Sequence, residues 1–320
     1  MDINEFHGLT RKHRQGYTGK GVKIAVIDTG AWEGHDALRD RVVARRNFVQ
    51  PDYNDTSDTH GHGTRVAGTV ANVAPEAELL IAKVSTGAFS LAYHTAQAVD
   101  WAVAQGADVI NISRGSKYDS HAQYLAIRRA LDAGVLVVCA VGNDGDGDAT
   151  TDEVRYPASY DDVVAVGAVD KDRRPARFSN SDVSVDCVAL GVNVRVPNND
   201  PRWPSGTTIE DGTSYATPIV AGIGAILVQQ YGRDRLCDRL LAHCEPIDAD
   251  RRLVGEGVVT LRRDVELAPA VKQPADKAAS WAQSSWVRGY NEGWIDGTRP
   301  SDYISRQELV VILDRLIPRE

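Results

Sequence analysis

The sequence predicts an α/β protein of three layers, a mostly parallel sheet with helices on both faces. Three observations lead there. Apolar runs recur at residues 22–28, 79–84, 109–113, 135–141 and 163–169. Each has the length of a strand and is apolar at consecutive positions, as a strand buried on both faces requires. Helical stretches at 90–105, 121–133 and 213–231 alternate with these runs, and a shorter one is expected over 63–71. Gly106 and Gly134 stand just past the first two, where a left-handed residue closes a helix. In such a sheet, ligands sit at the carboxyl ends of the strands. Asp28, Ser113 and Asn143 all fall at such ends, which predicts one shared site.

Bulk properties narrow the function. The chain has 320 residues, enough for one large domain and a small appendage. Its 44 acidic against 36 basic residues give a net charge of -8, which argues against a nucleic-acid partner. No stretch reaches transmembrane length and the first residues lack the pattern of a secretory signal, so no membrane role is expected. The expected location is the cytoplasm as synthesised, with release by lysis or non-classical export left open. The four cysteines, Cys139, Cys187, Cys237 and Cys244, include no C-x-x-C pair, so a zinc site is not expected. Cys139 reads as a buried core thiol. Cys237 and Cys244 are two turns apart if one helix carries both, too far for a disulfide within it.

Three glycine-flanked segments carry chemistry: Val26-Ile27-Asp28-Thr29-Gly30, His60-Gly61-His62-Gly63-Thr64 and Gly212-Thr213-Ser214-Tyr215-Ala216. A serine hydroxyl is a weak nucleophile until a base takes its proton, and an imidazole serves as that base when a carboxylate fixes its tautomer. The order Asp, His, Ser differs from the Ser, acid, His of α/β-hydrolases and the His, Asp, Ser of chymotrypsin-type enzymes; it is the subtilisin order. Ser214 opens an apolar helix, whose first amides favour developing negative charge. Pro218 is expected within the first turn, where its missing donor matters little.

From about residue 16 to 266 the chain resembles the subtilisin-like serine proteases. A fourth segment, Val137-Val138-Cys139-Ala140-Val141-Gly142-Asn143, looks like that family's strand ending in the oxyanion-hole asparagine. The resemblance implies Ser214 as nucleophile, His62 as base, Asp28 as its orienter and Asn143 as oxyanion donor. It selects His62 over His60 because the family pattern is H-G-T followed by V-A-G; Arg65 departs from that pattern, where a second histidine is common. Ser113-Arg114-Gly115 resembles the S-x-G strand that pairs with substrate backbone, and Ala140, Val141 and Gly142 are assigned to the groove with it. The family usually places an apolar residue at Arg114. Arg155 aligns near the base of the S1 pocket and Asp144 near its rim. They favour opposite charges, and Arg155 has Asp152 and Glu153 as alternative partners, so the side chain preferred before the scissile bond stays open. Tyr215 stands where many relatives carry methionine.

No cofactor is required on this reading. The family's strong calcium loop is shortened between Ala71 and Pro75. The alternating Asp144, Asp146 and Asp148 offer a possible calcium site, against the plainer reading of a solvated acidic loop. The segment that serves secreted relatives as propeptide is not expected among these residues, since Asp28 comes early.

The expected organisation is a peptidase domain over 1–268, a linker over 269–280 and a small helical tail over 281–320. The tail holds Trp281, Trp286 and Trp294 and resembles one S-layer-homology-type repeat. Two readings stay open for it: a helical hairpin packed on the protease domain, or a cell-wall or protein partner site. Two functions stand against each other. One is a serine endopeptidase acting on polypeptides through an acyl-enzyme. The other is a catalytically silent subtilisin-fold scaffold that recognises partners through its groove and tail.

Overall fold

The computed structural model describes residues 2–49, 52–87 and 90–267. The chain divides into two units, 1–266 and 267–320, and the first is the one described here. The expected tail lies outside the described residues.

In chain order the elements are α1 (Ile3–Phe6), α2 (Leu9–Arg14), β1 (Lys23–Asp28), β2 (Val42–Asn47), α3 (His62–Val73), β3 (Glu78–Lys83), α4 (Ala92–Ala104), β4 (Val109–Ile112), α5 (His121–Asp132), β5 (Leu136–Ala140), β6 (Val164–Val169), β7 (Cys187–Leu190), β8 (Val194–Pro197), β9 (Thr207–Glu210), α6 (Thr213–Tyr231), α7 (Leu236–Ala242), β10 (Cys244–Glu245), α8 (Arg251–Val254) and β11 (Val258–Val259). Nine strands form one sheet in the order β10-β11-β7-β6-β5-β4-β1-β3-β2, and β8 pairs with β9 as a hairpin. Every neighbouring pair of the large sheet is parallel except β10 with β11.

The apolar runs explain the layering. Successive strand residues point to opposite faces. Ile24 and Val26 of β1 join a core under α3 and α6, while Ala25 and Ile27 join a second core under α4 and α5. Burying an isoleucine such as Ile219, Ile223 or Ile226, all fully enclosed on α6, stabilises the fold by about 1.5–3 kcal/mol each. Gly106 and Gly134 follow α4 and α5 with φ of +78° and +72°, the left-handed closure expected for them.

Some expectations fail for local reasons. β2 is an edge strand with Arg45 and Arg46 exposed, so it lacks the continuous apolar run of its neighbours. Cys237 and Cys244 do not share a helix: α7 ends at Ala242, and Cys244 lies on β10. All four thiols are free, and burial pushes Cys139 well above an ordinary thiol. Pro218 is not in the first turn. It is the sixth residue of α6, with the helix starting at Thr213. Its missing N–H would orphan the Ser214 carbonyl, and the Ser113 hydroxyl takes that place at 3.0 Å.

Candidate active site

Three strand ends and two helix starts converge. Asp28 ends β1 and is 1% exposed. Nδ1 of His62, the first residue of α3, lies 2.8 Å from Asp28 Oδ1, and the Thr29 amide donates to the same oxygen at 2.7 Å. Burial pushes the Asp28 carboxyl up. The charge and hydrogen bond of His62, then Arg114 and the Thr29 amide, outweigh it and hold the group below the ordinary carboxylate range.

Ser214 sits in the first turn of α6. Gly212 caps that helix with φ +150° and ψ 152°, a conformation that disfavours a side chain. The Ser214 hydroxyl donates to the Ser113 carbonyl at 3.1 Å while the Ser113 hydroxyl donates to the Ser214 carbonyl at 3.0 Å. Among the described residues Ser214 makes no hydrogen bond to His62. In ligand-free serine enzymes such bonds are often long and tighten only on substrate. Asn143 follows β5. Its Oδ1 accepts from the Thr213 amide at 2.8 Å and the Thr213 hydroxyl at 2.9 Å, which turns its amide nitrogen outward beside Gly212.

Asp58 is the residue that sequence reasoning missed. It is 8% exposed and accepts five hydrogen bonds. Oδ1 takes the Thr29 hydroxyl (2.9 Å) and the amides of His60 (3.1 Å) and Gly61 (2.7 Å). Oδ2 takes the amide (2.8 Å) and hydroxyl (2.7 Å) of Thr64. Thr29 then accepts from the Gly63 amide at 2.8 Å. One carboxylate thus ties the end of β1 to the start of α3 and sets where His62 stands. Gly63 permits the approach, since a Cβ there would lie 2.1 Å from the Gly30 carbonyl oxygen. The signal in the sequence was an acid two residues before a His-Gly-His-Gly-Thr run, just upstream of a helix start whose free amides need acceptors.

Behind His62, the Tyr215 ring lies 5.8 Å from the imidazole centroid, and Arg65 pairs with Glu210 at 3.1 Å. Burial, then Glu210, push the Tyr215 phenol up to about 12, so it stays neutral at physiological pH. The His60 ring is 6.3 Å from that of His62 and lines the groove, not the pair.

A groove of about 520 Å³ runs over His62 and Ser214. Ser113, Arg114, Gly115 and Arg155 line it. Ala140 and Val141 do not: both are buried at the end of β5, and the Val141 carbonyl is taken by the Arg155 amide and the Asn180 side chain. Gly142 is half-buried under Asn180. Arg155 pairs with Asp144, its Nε 2.7 Å from Oδ2, not with Asp152 or Glu153. Asp152 pairs with Arg252, and Glu153 accepts from the Ser181 amide at 3.2 Å.

The acidic loop does not gather a calcium cage. Asp144 is held by Arg155, Asp146 Oδ1 accepts from the Asp148 amide, and Asp148 Oδ1 accepts from Thr150. Among the described residues no cluster of three or more His, Cys, Asp or Glu side chains is arranged to hold a metal ion. No described helix is long and apolar enough to cross a membrane.

An Asp–His pair beside a helix-borne serine, at the carboxyl edge of a parallel sheet, is an arrangement of the serine-hydrolase class. The family model described as "Subtilase family" matches residues 19–239, and the chain belongs to that family. It is a subtilisin-like serine peptidase, and such enzymes act on polypeptides. It is 35% identical over 301 residues to the "Major intracellular serine protease" of Bacillus subtilis (strain 168), covering 85% of this chain and 93% of that protein. It is 37% identical over 271 residues to an "Intracellular serine protease" of Paenibacillus polymyxa, covering 78% and 82%. The solved structure of the prenylagaramide maturation protease PagA superposes with a TM-score of 0.66 at 24% identity, over 79% of this chain and 96% of that one, which shows the shared fold.

Proposed function

We propose that this chain is an endopeptidase that cleaves internal peptide bonds through an acyl-enzyme. The observation that carries the reading is the 2.8 Å Asp28–His62 pair, set beside a serine in the first turn of a buried helix. Asp28 holds the imidazole with its Nε2 facing the groove. Ser214 rotates off the Ser113 carbonyl when substrate displaces it and gives its proton to His62 as it attacks the scissile carbonyl. The Asn143 side chain and the Ser214 amide donate to the oxyanion. His62 then returns the proton to the leaving amine, and water repeats the sequence on the ester. Substrate pairs as an added strand against 113–115, which gives affinity without side-chain choice.

No step calls for a cofactor, and neither a nucleic acid nor a membrane is a partner. The printed names of the two relatives support action inside the producing cell. Residues 1–268 form the catalytic domain, 269–280 a linker, and 281–320 a module resembling one S-layer-homology-type repeat that engages a cell-wall or protein partner.

Two measurements test this. Ser214→Ala should abolish casein hydrolysis and labelling by a fluorophosphonate probe while the fold remains; an alanine variant as fast as the parent would sink the assignment. Removing residues from Pro274 onward should leave hydrolysis of a small chromogenic peptide intact, because every proposed catalytic residue lies at or before Ser214. Loss of that hydrolysis in a folded truncation would overturn the division.

A further inference from the structure

Arg114 is a charged group lining the groove that the mechanism does not use. Its guanidinium is nearly enclosed, 11% exposed, and Nη1 stands 3.7 Å from Asp28 Oδ1. Nη2 donates to the Gly87 carbonyl at 2.6 Å and to the Ser85 hydroxyl at 3.2 Å, so the fork is anchored from the loop after β3. Two buried polar atoms flank the pair without a hydrogen-bond partner among the described residues: Asp28 Oδ2 and Arg114 Nε. A buried carboxylate oxygen with no donor is costly unless a nearby charge compensates it. Apart from His62 itself, the guanidinium is the cation within 4 Å of this carboxylate among the described residues.

We propose that Arg114 is a positioning residue for the triad acid, its charge keeping Asp28 ionised and opposing protonation of His62, so that catalysis extends to lower pH than a neutral side chain would permit. The Coulomb argument has two sides. A cation beside the carboxylate favours its charged form. The same cation weakens the field with which Asp28 stabilises an imidazolium, so His62 is free to act as base in more acidic solution. The inference rests on the triad reading given above.

The other groups around the pair are accounted for. Lys83, beside Asp28 in register on β3, donates its ammonium to the Ser57 carbonyl at 2.5 Å. On α6, neutral Tyr215 faces His62, with Arg65 of α3 and Glu210 of β9 paired behind it. His60 lies at the groove side, and Asp58 is committed to the loop amides and threonine hydroxyls. None of these contacts involves Arg114, so a substitution there leaves them in place. What it also removes is the anchoring to Ser85 and Gly87, and comparison of the neutral and lysine variants separates that from the charge.

The test is the pH profile of kcat/KM on a small chromogenic peptide for the parent, Arg114→Gln and Arg114→Lys. Glutamine carries no charge and, being shorter, gives up the bonds to Gly87 and Ser85 as well; lysine keeps the charge without the fork. The acid limb should move up by roughly 0.5–1 pH unit in Arg114→Gln, the scale of a single nearby charge. It should stay within about 0.3 unit of the parent in Arg114→Lys. Arg114→Met serves as a second neutral variant should the glutamine fail to fold, with the same expected shift. An unmoved limb in the neutral variants overturns the inference, as does an equal shift in Gln and Lys, which would mean scaffold and not charge. Failure of the triad reading looks different: hydrolysis would then survive Ser214→Ala.

Discussion

Replacing Asp58 by alanine removes the acceptor of five hydrogen bonds at once. Taken singly, hydrogen bonds to a charged group contribute about 1.5–3 kcal/mol, and five of them would exceed the whole stability of many domains. Such contributions do not add. The Thr29 and Thr64 hydroxyls can rotate to other acceptors, and water from the groove can reach the exposed His60 amide. Two amides cannot recover, those of Gly61 and Thr64, which are buried and fixed by the start of α3. At about 1–3 kcal/mol for each stranded group plus the void left by the carboxylate, the expected destabilisation is about 3–5 kcal/mol. Urea unfolding measures it, on a Ser214→Ala background so that the unfolded chain is not digested by its own kind. The folded Asp58→Ala enzyme should also lose about 10–100-fold in kcat/KM, since a base displaced by about 1 Å costs on the order of 10²-fold. A variant that unfolds within about 0.5 kcal/mol of its parent and hydrolyses at the parental rate refutes the argument that this carboxylate positions His62.

Two further outcomes follow. Asn143→Ala should lower kcat by about 10²–10³ with little change in KM, a scale carried over from subtilisin, where such a donor has been removed; an unchanged kcat rules the side chain out as oxyanion donor. Asp186 is half-buried, and burial pushes its carboxyl up to about 6, against the lowering by its bond from the Ala165 amide. A raised carboxyl pKa means that the folded state holds its proton longer than the unfolded one. Stability therefore falls as pH rises from about 4 to 6 and is flat above. Asp186→Asn, which can still accept from Ala165, should melt higher than the parent at pH 8 and level with it at pH 4; equal melting at both would show no penalty at this site.

The central sheet was legible because β1, β3, β4, β5 and β6 are buried on both faces, and unbroken apolar runs have one natural reading. β2 was not, because it is an edge strand whose Val43, Arg45 and Arg46 are exposed to water. α1 and α2 were too short to show a period, and the two-residue β10 and β11 exist only because the sheet provides an edge. At the site, the motifs marked Asp28, His62, Ser214 and Asn143: His62 and Ser214 line the groove, Asp28 is buried against His62, and Asn143 holds the start of α6 through Thr213. Pairing of long side chains was beyond reach: Arg155 chose Asp144, 11 residues back, over the nearer Asp152 and Glu153, and Arg114 came within 3.7 Å of Asp28. Such choices depend on where strands end in space, which no spacing rule encodes. Asp58 was overlooked for a related reason, since an acid in a polar loop looks solvated until the loop closes over it.

The N-terminal helices have a consequence for how the enzyme comes into being. His7 Nδ1 lies 2.6 Å from the Val259 carbonyl, the Leu261 amide donates to the His7 carbonyl at 2.7 Å, and the Lys12 ammonium bonds Asp264 at 2.6 Å. The two side-chain ties each span 252 residues of sequence. A growing chain emerging from the ribosome cannot close these three ties until residues 259–264 have followed; before that, α2 can use earlier anchors such as the bond between His13 and the Val73 carbonyl. Contacts this distant form late. The aspartate, histidine and serine are thus all translated before the segment that fastens the N-terminal helices to the far end of the chain, and an interrupted product carries the reactive groups without that fastening.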